Sequence, residues 1–239
     1  MQSAEFQQVC SIPLLAAPQA LPPESVTECG ERFVQLTDCK ELHIDMQYIK
    51  QGIPGAVSEC WMREGAYRRL MLAAAYLPDG LRFRIFDAWR PFCVQKALYD
   101  DYAAVYSKKH PELTGDALRD ALIAFVSEPR RDRVCYPVHC SGGAVDLTIE
   151  DKTGTPLDFG TAFDCLDQPA NTAYFEGSGN ETVIRNRRLL YSVMTAAGFT
   201  NLPSEGWHYD FGTRFWGYYR GCPCRYEAVY TPEDVRAMC

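Results

Sequence analysis

The alternation of apolar and polar positions along the chain predicts a series of short helices and strands. Leu81–Asp87 alternates strictly between apolar and charged residues, which indicates a half-buried strand, because successive side chains of a strand point to opposite faces. Residues 64–76 carry apolar side chains at helical spacing, and a Pro-Asp-Gly turn follows them. Further helices are predicted over residues 91–108, 114–125 and 185–197.

The remaining patterns predict extended structure. Residues 39–48 and 207–212 have the composition of short strands, and residues 144–150 and 155–159 are predicted to pair as a hairpin. Helices alternate with antiparallel hairpins and lack the repeating strand-helix-strand order of a parallel sheet. We therefore expect an α+β fold, in which a small antiparallel sheet is flanked by helices in a single domain.

Composition narrows the class of protein. A chain of 239 residues can bury one sizeable core, and its net charge of −7 argues against a nucleic-acid binder. No apolar run approaches 18 residues, so no membrane span is predicted. Residues 1–28 are rich in Pro, Ala, Ser and Gln and predict a flexible N-terminal arm before a domain at 29–239. An atypical export signal in this arm is the alternative.

The number and spacing of the cysteines indicate the cellular compartment of the protein. There are eleven, an odd number without regular spacing, which is typical of a protein from the reducing cytoplasm. Most of them are then expected to be small core residues. A secreted chain would leave at least one thiol unpaired. Cys222-Pro-Cys224 is spaced too closely for a standard zinc knuckle.

Two histidines lie in unusual polar contexts. His139 and Asp146 are separated by a Gly-Gly bend, and Asp146 stands inside an apolar strand, where an uncompensated carboxylate is costly to bury. A metal ion would remove that cost, and the glycines give the backbone freedom to bring both ligands to one cation. Glu205 precedes His208 by three residues.

Hydrolytic zinc is usually held by three nitrogen or oxygen ligands and keeps a fourth position open. His139, Asp146 and His208 would complete such a set, with Glu205 as the general base for water. Structural His–carboxylate pairs would have the same spacing. Arg90, between a predicted strand and helix, is suited to stabilising an oxyanion, although a surface or an ion-paired arginine has the same pattern.

Taken in order, several segments resemble the D-alanyl-D-alanine dipeptidases, zinc peptidases of the VanX type. They are Tyr48 in Ile-Asp-Met-Gln-Tyr, Asp87-Ala-Trp-Arg90-Pro91, His139-x-x-Gly-x-Ala-x-Asp146, Phe159-Gly-Thr-Ala-Phe-Asp164, Asn186-Arg-Arg-Leu-Leu and Glu205-x-Trp-His208-Tyr. The resemblance implies one zinc ion on His139, Asp146 and His208, Glu205 as base, and Arg90 at the tetrahedral intermediate. It also implies a cytoplasmic enzyme for short peptides, in which Asp164 and Tyr48 hold the substrate's free amino terminus.

Two positions depart from the family pattern. Pro137 stands where the family usually has a serine that helps to bind the substrate amine, and Gly206 replaces the first of two tryptophans. Both changes affect the expected pocket and neither affects the metal ligands. The alternatives are a D,D- or L,D-carboxypeptidase or endopeptidase acting on peptidoglycan peptides, and a non-catalytic zinc-binding module. The oligomeric state stays open.

Overall fold

The computed structural model describes residues 9–15, 26–123, 126–132, 135–165 and 167–239. Within these ranges the strands are β1 (Phe33–Leu36), β2 (Leu42–Ile44), β3 (Cys60–Arg63), β4 (Leu81–Asp87), β5 (Ala144–Asp151), β6 (Thr200–Asn201) and β7 (His208–Asp210). The helices are α1 (Gln47–Lys50), α2 (Glu64–Ala74), α3 (Phe92–Lys109), α4 (Gly115–Leu122), α5 (Glu181–Ala196), α6 (Arg214–Arg220) and α7 (Pro232–Ala237).

Five of these strands form the main sheet, in the order β2-β4-β5-β7-β6, and β1 pairs with β3 in a small separate sheet. Neighbouring strands are antiparallel except for β2 and β4, which run parallel. The predicted α+β class is confirmed, with a mainly antiparallel sheet and helices around it.

The core lies between the main sheet and helices α2 and α5. Alternate residues of β4, such as Phe83 and Ile85, are fully buried there, together with Leu147 from β5. Leu70 of α2 and Met194 of α5 pack against the same cluster. The strict alternation of Leu81–Asp87 predicts its bounds correctly because one face of that strand meets this core.

Three predicted elements differ from the structure. Residues 155–159 do not form a strand and keep only one bridge, between Glu150 and Pro156. Residues 39–48 contain a strand of three residues and then a helical turn that carries Tyr48. Helix α5 begins at Glu181 rather than at residue 185, because the Asn180 side chain accepts a hydrogen bond from the amide of Val183.

Part of the predicted N-terminal arm lies on the domain surface. Ile12 is 6% exposed, and its amide donates to Glu176 at 3.2 Å. The amide of Cys10 lies 3.3 Å from the hydroxyl of Ser192. Residues 1–8 and 16–25 of the arm lie outside the described ranges. Residues 124–125, at the end of the helix predicted over residues 114–125, also lie outside them. The domain boundary at residues 28 and 29 stays a prediction.

The cysteines are less buried than predicted. All eleven fall within the described ranges, and no disulfide joins any two of them. Only Cys60, Cys140 and Cys224 are buried, so the expectation that most are core residues is wrong. In the described part of the chain, no helix has both the length and the apolar character needed to span a bilayer.

Candidate metal centre

The register of the main sheet brings two of the predicted ligands together. Asp146 of β5 is paired directly with His208 of β7, so their side chains are cross-strand neighbours. On the other side of β5, Asp87 of β4 is paired with Asp146 after an irregularity that follows Ile85. A row of three polar side chains therefore runs across β4, β5 and β7.

His139 reaches this row from a 3-10 turn, Val138–Ser141, that immediately precedes β5. Gly142 ends the turn with a φ of +75°, and a Cβ there would lie 2.3 Å from a ring carbon of Phe33. A Cβ at Gly143 would lie 2.3 Å from the carbonyl oxygen of Phe211. The two glycines are therefore required for close packing and a left-handed bend, rather than for the backbone freedom that the sequence suggested.

The three ligand atoms lie within a few ångströms of one another. His139 Nε2 is 3.1 Å from His208 Nδ1 and 3.4 Å from Asp146 Oδ2, and His208 Nδ1 is 3.0 Å from Asp146 Oδ1. Tetrahedral zinc with bonds of about 2.0–2.1 Å requires ligand atoms about 3.3 Å apart. All three residues are buried. The two ring nitrogens are spaced for one zinc ion, and Asp146 turns a different carboxylate oxygen towards each of them, so these residues suit a zinc ion.

In each histidine ring, the hydrogen bond of the nitrogen that faces away from the candidate metal site determines which nitrogen faces that site. His139 Nδ1 donates to the carbonyl oxygen of Ala88 at 2.7 Å, since a carbonyl can only accept. His208 Nε2 donates to a carboxylate oxygen of Asp210 at 2.8 Å. His139 Nε2, His208 Nδ1 and Asp146 therefore turn lone pairs towards one point, which is stable only around a positive charge.

The electrostatics of these groups agree with the geometry. Burial lowers the pKa of His208, but Asp210 and Asp146 outweigh this effect and hold that pKa well above its ordinary value. Burial raises the pKa of Asp146, but His139 and His208 lower it by more, so this pKa lies below its ordinary value. The site thus attracts one cation, for which a proton and a metal ion compete.

Asp210 was not singled out from the sequence. It is 1% exposed and also accepts a hydrogen bond from the Thr213 hydroxyl at 2.7 Å. A carboxylate on the outer nitrogen of a metal-binding histidine orients the ring and makes it a better ligand. The signal was present, because residues two apart on a strand share a face and His208-Tyr-Asp210 has that spacing.

Glu205 lies beside the ligand set without belonging to it. Its Oε2 is 3.9 Å from His208 Nδ1, and its side chain is 21% exposed. Burial raises the pKa of Glu205 to about 7, an effect that His208 opposes. A carboxylate with a pKa in this range can take up a proton and release it again near neutral pH.

Arg90 is held from several sides. Its Nε donates to Asp87 at 2.7 Å, its Nη1 to Gln95 at 2.7 Å, and its Nη2 to Asp146 at 3.2 Å and Tyr48 at 3.3 Å. Burial lowers the pKa of Arg90, but Tyr48, Asp87 and Asp146 raise it by more, so the guanidinium stays charged. Arg90 is 7% exposed and therefore not a surface residue, but it is ion-paired with Asp87 and Asp146, as the structural alternative allowed.

Asp164 and Tyr48 meet as a pair. The Tyr48 hydroxyl lies 3.3 Å from Asp164 Oδ1 and can donate to it. Asp164 has a φ of +58°, a left-handed conformation that aspartate tolerates better than most residues. Burial raises the pKa of Asp164 to about 7, and Asp146 adds to this effect.

All seven predicted site residues line one cavity of about 120 Å³. Its apolar wall includes Leu98, Val138, Leu202 and Phe215. A larger groove of about 980 Å³ lies elsewhere, between residues 12–15 and the body of the domain. The smaller cavity contains the metal-ligand set, so chemistry rather than size identifies the candidate site.

Comparison with known proteins places these residues in a family. The Peptidase_M15 model, described as D-ala-D-ala dipeptidase, matches residues 40–225. A D-alanyl-D-alanine dipeptidase of Synechocystis sp. is 28% identical in an alignment 178 residues long, which covers 66% of this chain and 71% of that protein. One of Escherichia coli is 38% identical over 72 residues, covering 30% of this chain and 36% of that protein.

Two solved structures also align with the chain. A mutant of the vancomycin resistance D,D-pentapeptidase VanY in complex with Zn(II) has 19% identity and a TM-score of 0.39, covering 69% of this chain and 82% of its own. VanYB in complex with D-alanine-D-alanine has 15% identity and a TM-score of 0.42, covering 84% and 93%. Likeness at this level says nothing about activity. The family model spans well over half of the chain, and the protein is therefore a member of the Peptidase_M15 family, a zinc metallopeptidase with D,D-peptidase function.

Proposed function

We propose that the protein hydrolyses D-alanyl-D-alanine, or a closely related short D,D-dipeptide, to free amino acids. The observation that carries the proposal is a second carboxylate, Asp164, on the wall of the same small cavity as the metal ligands. A dipeptide has a free ammonium group one residue from its scissile bond, and a buried carboxylate is a suitable partner for it. The dipeptidase description of the family model is consistent with this choice.

In this proposal His139, Asp146 and His208 hold the zinc ion. Zinc, when bound, polarises the scissile carbonyl and lowers the pKa of water. Glu205 takes the proton from the attacking water and passes it to the leaving amine, which its raised pKa and its place beside His208 allow.

Arg90 is proposed to stabilise the oxyanion. Its guanidinium is buried, charged and fixed by Asp87 and Gln95, so no reorganisation is needed when negative charge develops. Arg90→Lys should lower kcat about 10²-fold to 10³-fold, the usual effect of losing one such donor. Zinc content should be unchanged. A kcat within threefold of wild type would refute this role.

Asp164 and Tyr48 are proposed to bind the substrate ammonium. An acyl group on that nitrogen would remove its charge and add bulk within a cavity of about 120 Å³. The pair therefore favours free dipeptides over longer chains. Asp164→Asn should raise KM for D-alanyl-D-alanine and leave the weak hydrolysis of an N-acetylated substrate unchanged.

The deciding experiment measures the release of free alanine by the zinc-loaded protein, as D-alanine from D-Ala-D-Ala and N-acetyl-D-Ala-D-Ala and as L-alanine from L-Ala-L-Ala. We expect the free D,D-dipeptide to be preferred, and Glu205→Gln to abolish release while retaining zinc. Preference for the acylated substrate, with no effect of Asp164→Asn, would instead identify a carboxypeptidase or endopeptidase. If wild type and Glu205→Gln are equally inert while zinc binds, the protein is a binding module.

We also propose that the enzyme works in the cytoplasm. Five of its cysteines are exposed, and exposed thiols persist in reducing compartments. Fractionation of cells that produce the native chain would test this. Recovery outside the cytoplasm, with cysteines that no longer react with a thiol reagent, would overturn it.

A further inference from the structure

Gln95 joins two parts of the candidate site. It lies in the first turn of α3, is 2% exposed, and lines the cavity. Its Oε1 accepts from Arg90 Nη1 at 2.7 Å, and its Nε2 donates to the carbonyl oxygen of Ser127 at 2.8 Å. One buried amide thus contacts the proposed oxyanion-stabilising residue and a separate segment of chain.

The orientation of this amide follows from its partners. Arginine can only donate and a carbonyl can only accept, so Oε1 must face Arg90 and Nε2 must face Ser127. Both hydrogen bonds are satisfied only by glutamine in this position. A glutamate would keep the first bond and place an oxygen against the carbonyl of Ser127.

The segment that Gln95 holds is a wall of the cavity. Val126 and Ser127 both line it, together with Leu98 and Tyr102 of α3. Glu128, the next residue, is bonded twice to Arg119 of α4, at 2.9 and 2.8 Å. The wall is therefore tied to α4 on its outer side and to Gln95 on its inner side.

We propose that Gln95 is a positioning residue that fixes Arg90 and the wall at residues 126–127 in one arrangement, and so sets how closely the substrate fits. The inference rests on the proposed dipeptidase function. The two hydrogen bonds of the Gln95 amide have separable consequences. The bond to Ser127 determines the width of the cavity, and the bond to Arg90 determines the direction of the guanidinium.

Two variants separate these consequences. Gln95→Glu keeps the acceptor for Arg90 and loses the donor to Ser127, so KM for D-Ala-D-Ala should rise about tenfold with kcat within threefold of wild type. Gln95→Met loses both bonds, and kcat should fall by a further factor of about ten, since small displacements of a positioned group are expensive in rate. Gln35→Glu and Gln35→Met, the same changes at an exposed position of β1, should alter neither constant.

A second measurement does not depend on catalysis. Hydrogen–deuterium exchange of the peptide containing residues 126–130 should become faster in Gln95→Glu and stay unchanged in Gln35→Glu. Wild-type kinetics and unchanged exchange in Gln95→Glu would overturn the inference, as would identical kinetic changes in both Gln95 variants. If wild type releases no D-alanine but Gln95→Glu still accelerates exchange, the proposed function fails and the positioning of the wall is supported.

Discussion

Asp210 is expected to control zinc affinity through His208. Its carboxylate accepts the outer N–H of His208 at 2.8 Å and the Thr213 hydroxyl at 2.7 Å, and it is almost fully buried. Asp210→Asn preserves the shape of the side chain and removes its charge. The amide oxygen can still accept from one partner, so the perturbation is confined to the strength and direction of these hydrogen bonds.

The size of the effect can be worked out from the bonds involved. A hydrogen bond to a charged group contributes about 1.5–3 kcal/mol, against about 0.5–1.5 kcal/mol for a neutral one. The change from carboxylate to amide therefore costs the histidine ligand about 1–1.5 kcal/mol, which corresponds to about a tenfold weaker zinc complex. Losing the outer partner of a metal-binding histidine typically weakens binding about 10-fold to 100-fold, so the two estimates agree at their lower end.

The assay is competition for zinc with a chromophoric chelator, at a fixed pH. The matched control is Asp234→Asn, since Asp234 also accepts from a threonine hydroxyl, that of Thr231 at 2.6 Å, but lies on the surface in α7. We expect the dissociation constant to rise about tenfold for Asp210→Asn and to stay constant for the control. A change below threefold in folded Asp210→Asn protein, or an equal change in both variants, would refute the role of Asp210.

Two further predictions concern stability. Gly142→Ala places a Cβ against Phe33 at a φ of +75°, whereas Gly154→Ala has a φ of +85° with open space around the Cβ. Gly154→Ala should lower Tm by about 2–4 °C, and Gly142→Ala should lower it by at least twice as much. Equal melting curves for the two variants would contradict the packing argument. Arg187→Met removes a buried donor to the main-chain carbonyls of Phe159, Pro169 and Asn171 and should cost about 3 kcal/mol or more in denaturant unfolding. Arg188→Met, which breaks a partly exposed pair, should cost at most about 1 kcal/mol.

The fold was predictable where one face of an element meets the core. The strand Leu81–Asp87 is an example, since burial of alternate residues leaves a direct pattern in the sequence. Residues 155–159 show the limit of that reasoning. Leu157 and Phe159 do pack against the core, but pairing with β5 stops after the bridge at Pro156 and its two backbone hydrogen bonds, and apolar periodicity cannot separate packing from pairing. The parallel pairing of β2 with β4 also has no local signal in the sequence, because it depends on the path of the chain between these two strands.

The site was predictable to the extent that its residues are clustered in sequence. His139 and Asp146 are seven residues apart along the chain, and the structure brings both to His208, as expected. The requirement for zinc is confirmed, whereas the individual catalytic and substrate-binding roles stay predictions. Gln95 could not be found in the same way, because its partners are 5 and 32 residues away and neither spacing has a characteristic pattern.

The charges around the candidate metal centre distinguish the residues proposed to bind the metal from those proposed to act in the reaction. The described carboxylates at the centre are Asp87, Asp146, Asp164, Glu205 and Asp210. Arg90 forms an ion pair with Asp87, and a zinc ion held as proposed would compensate Asp146 and, through the ring of His208, Asp210. Burial raises the pKa of both Asp164 and Glu205 to about 7, although the positive charge of Arg90 opposes the shift in each. In the proposed reaction their partners arrive with the substrate, an ammonium group for Asp164 and the proton of water for Glu205. These raised pKa values suit the roles proposed for the two carboxylates, and they depend on burial that no spacing in the sequence could have revealed.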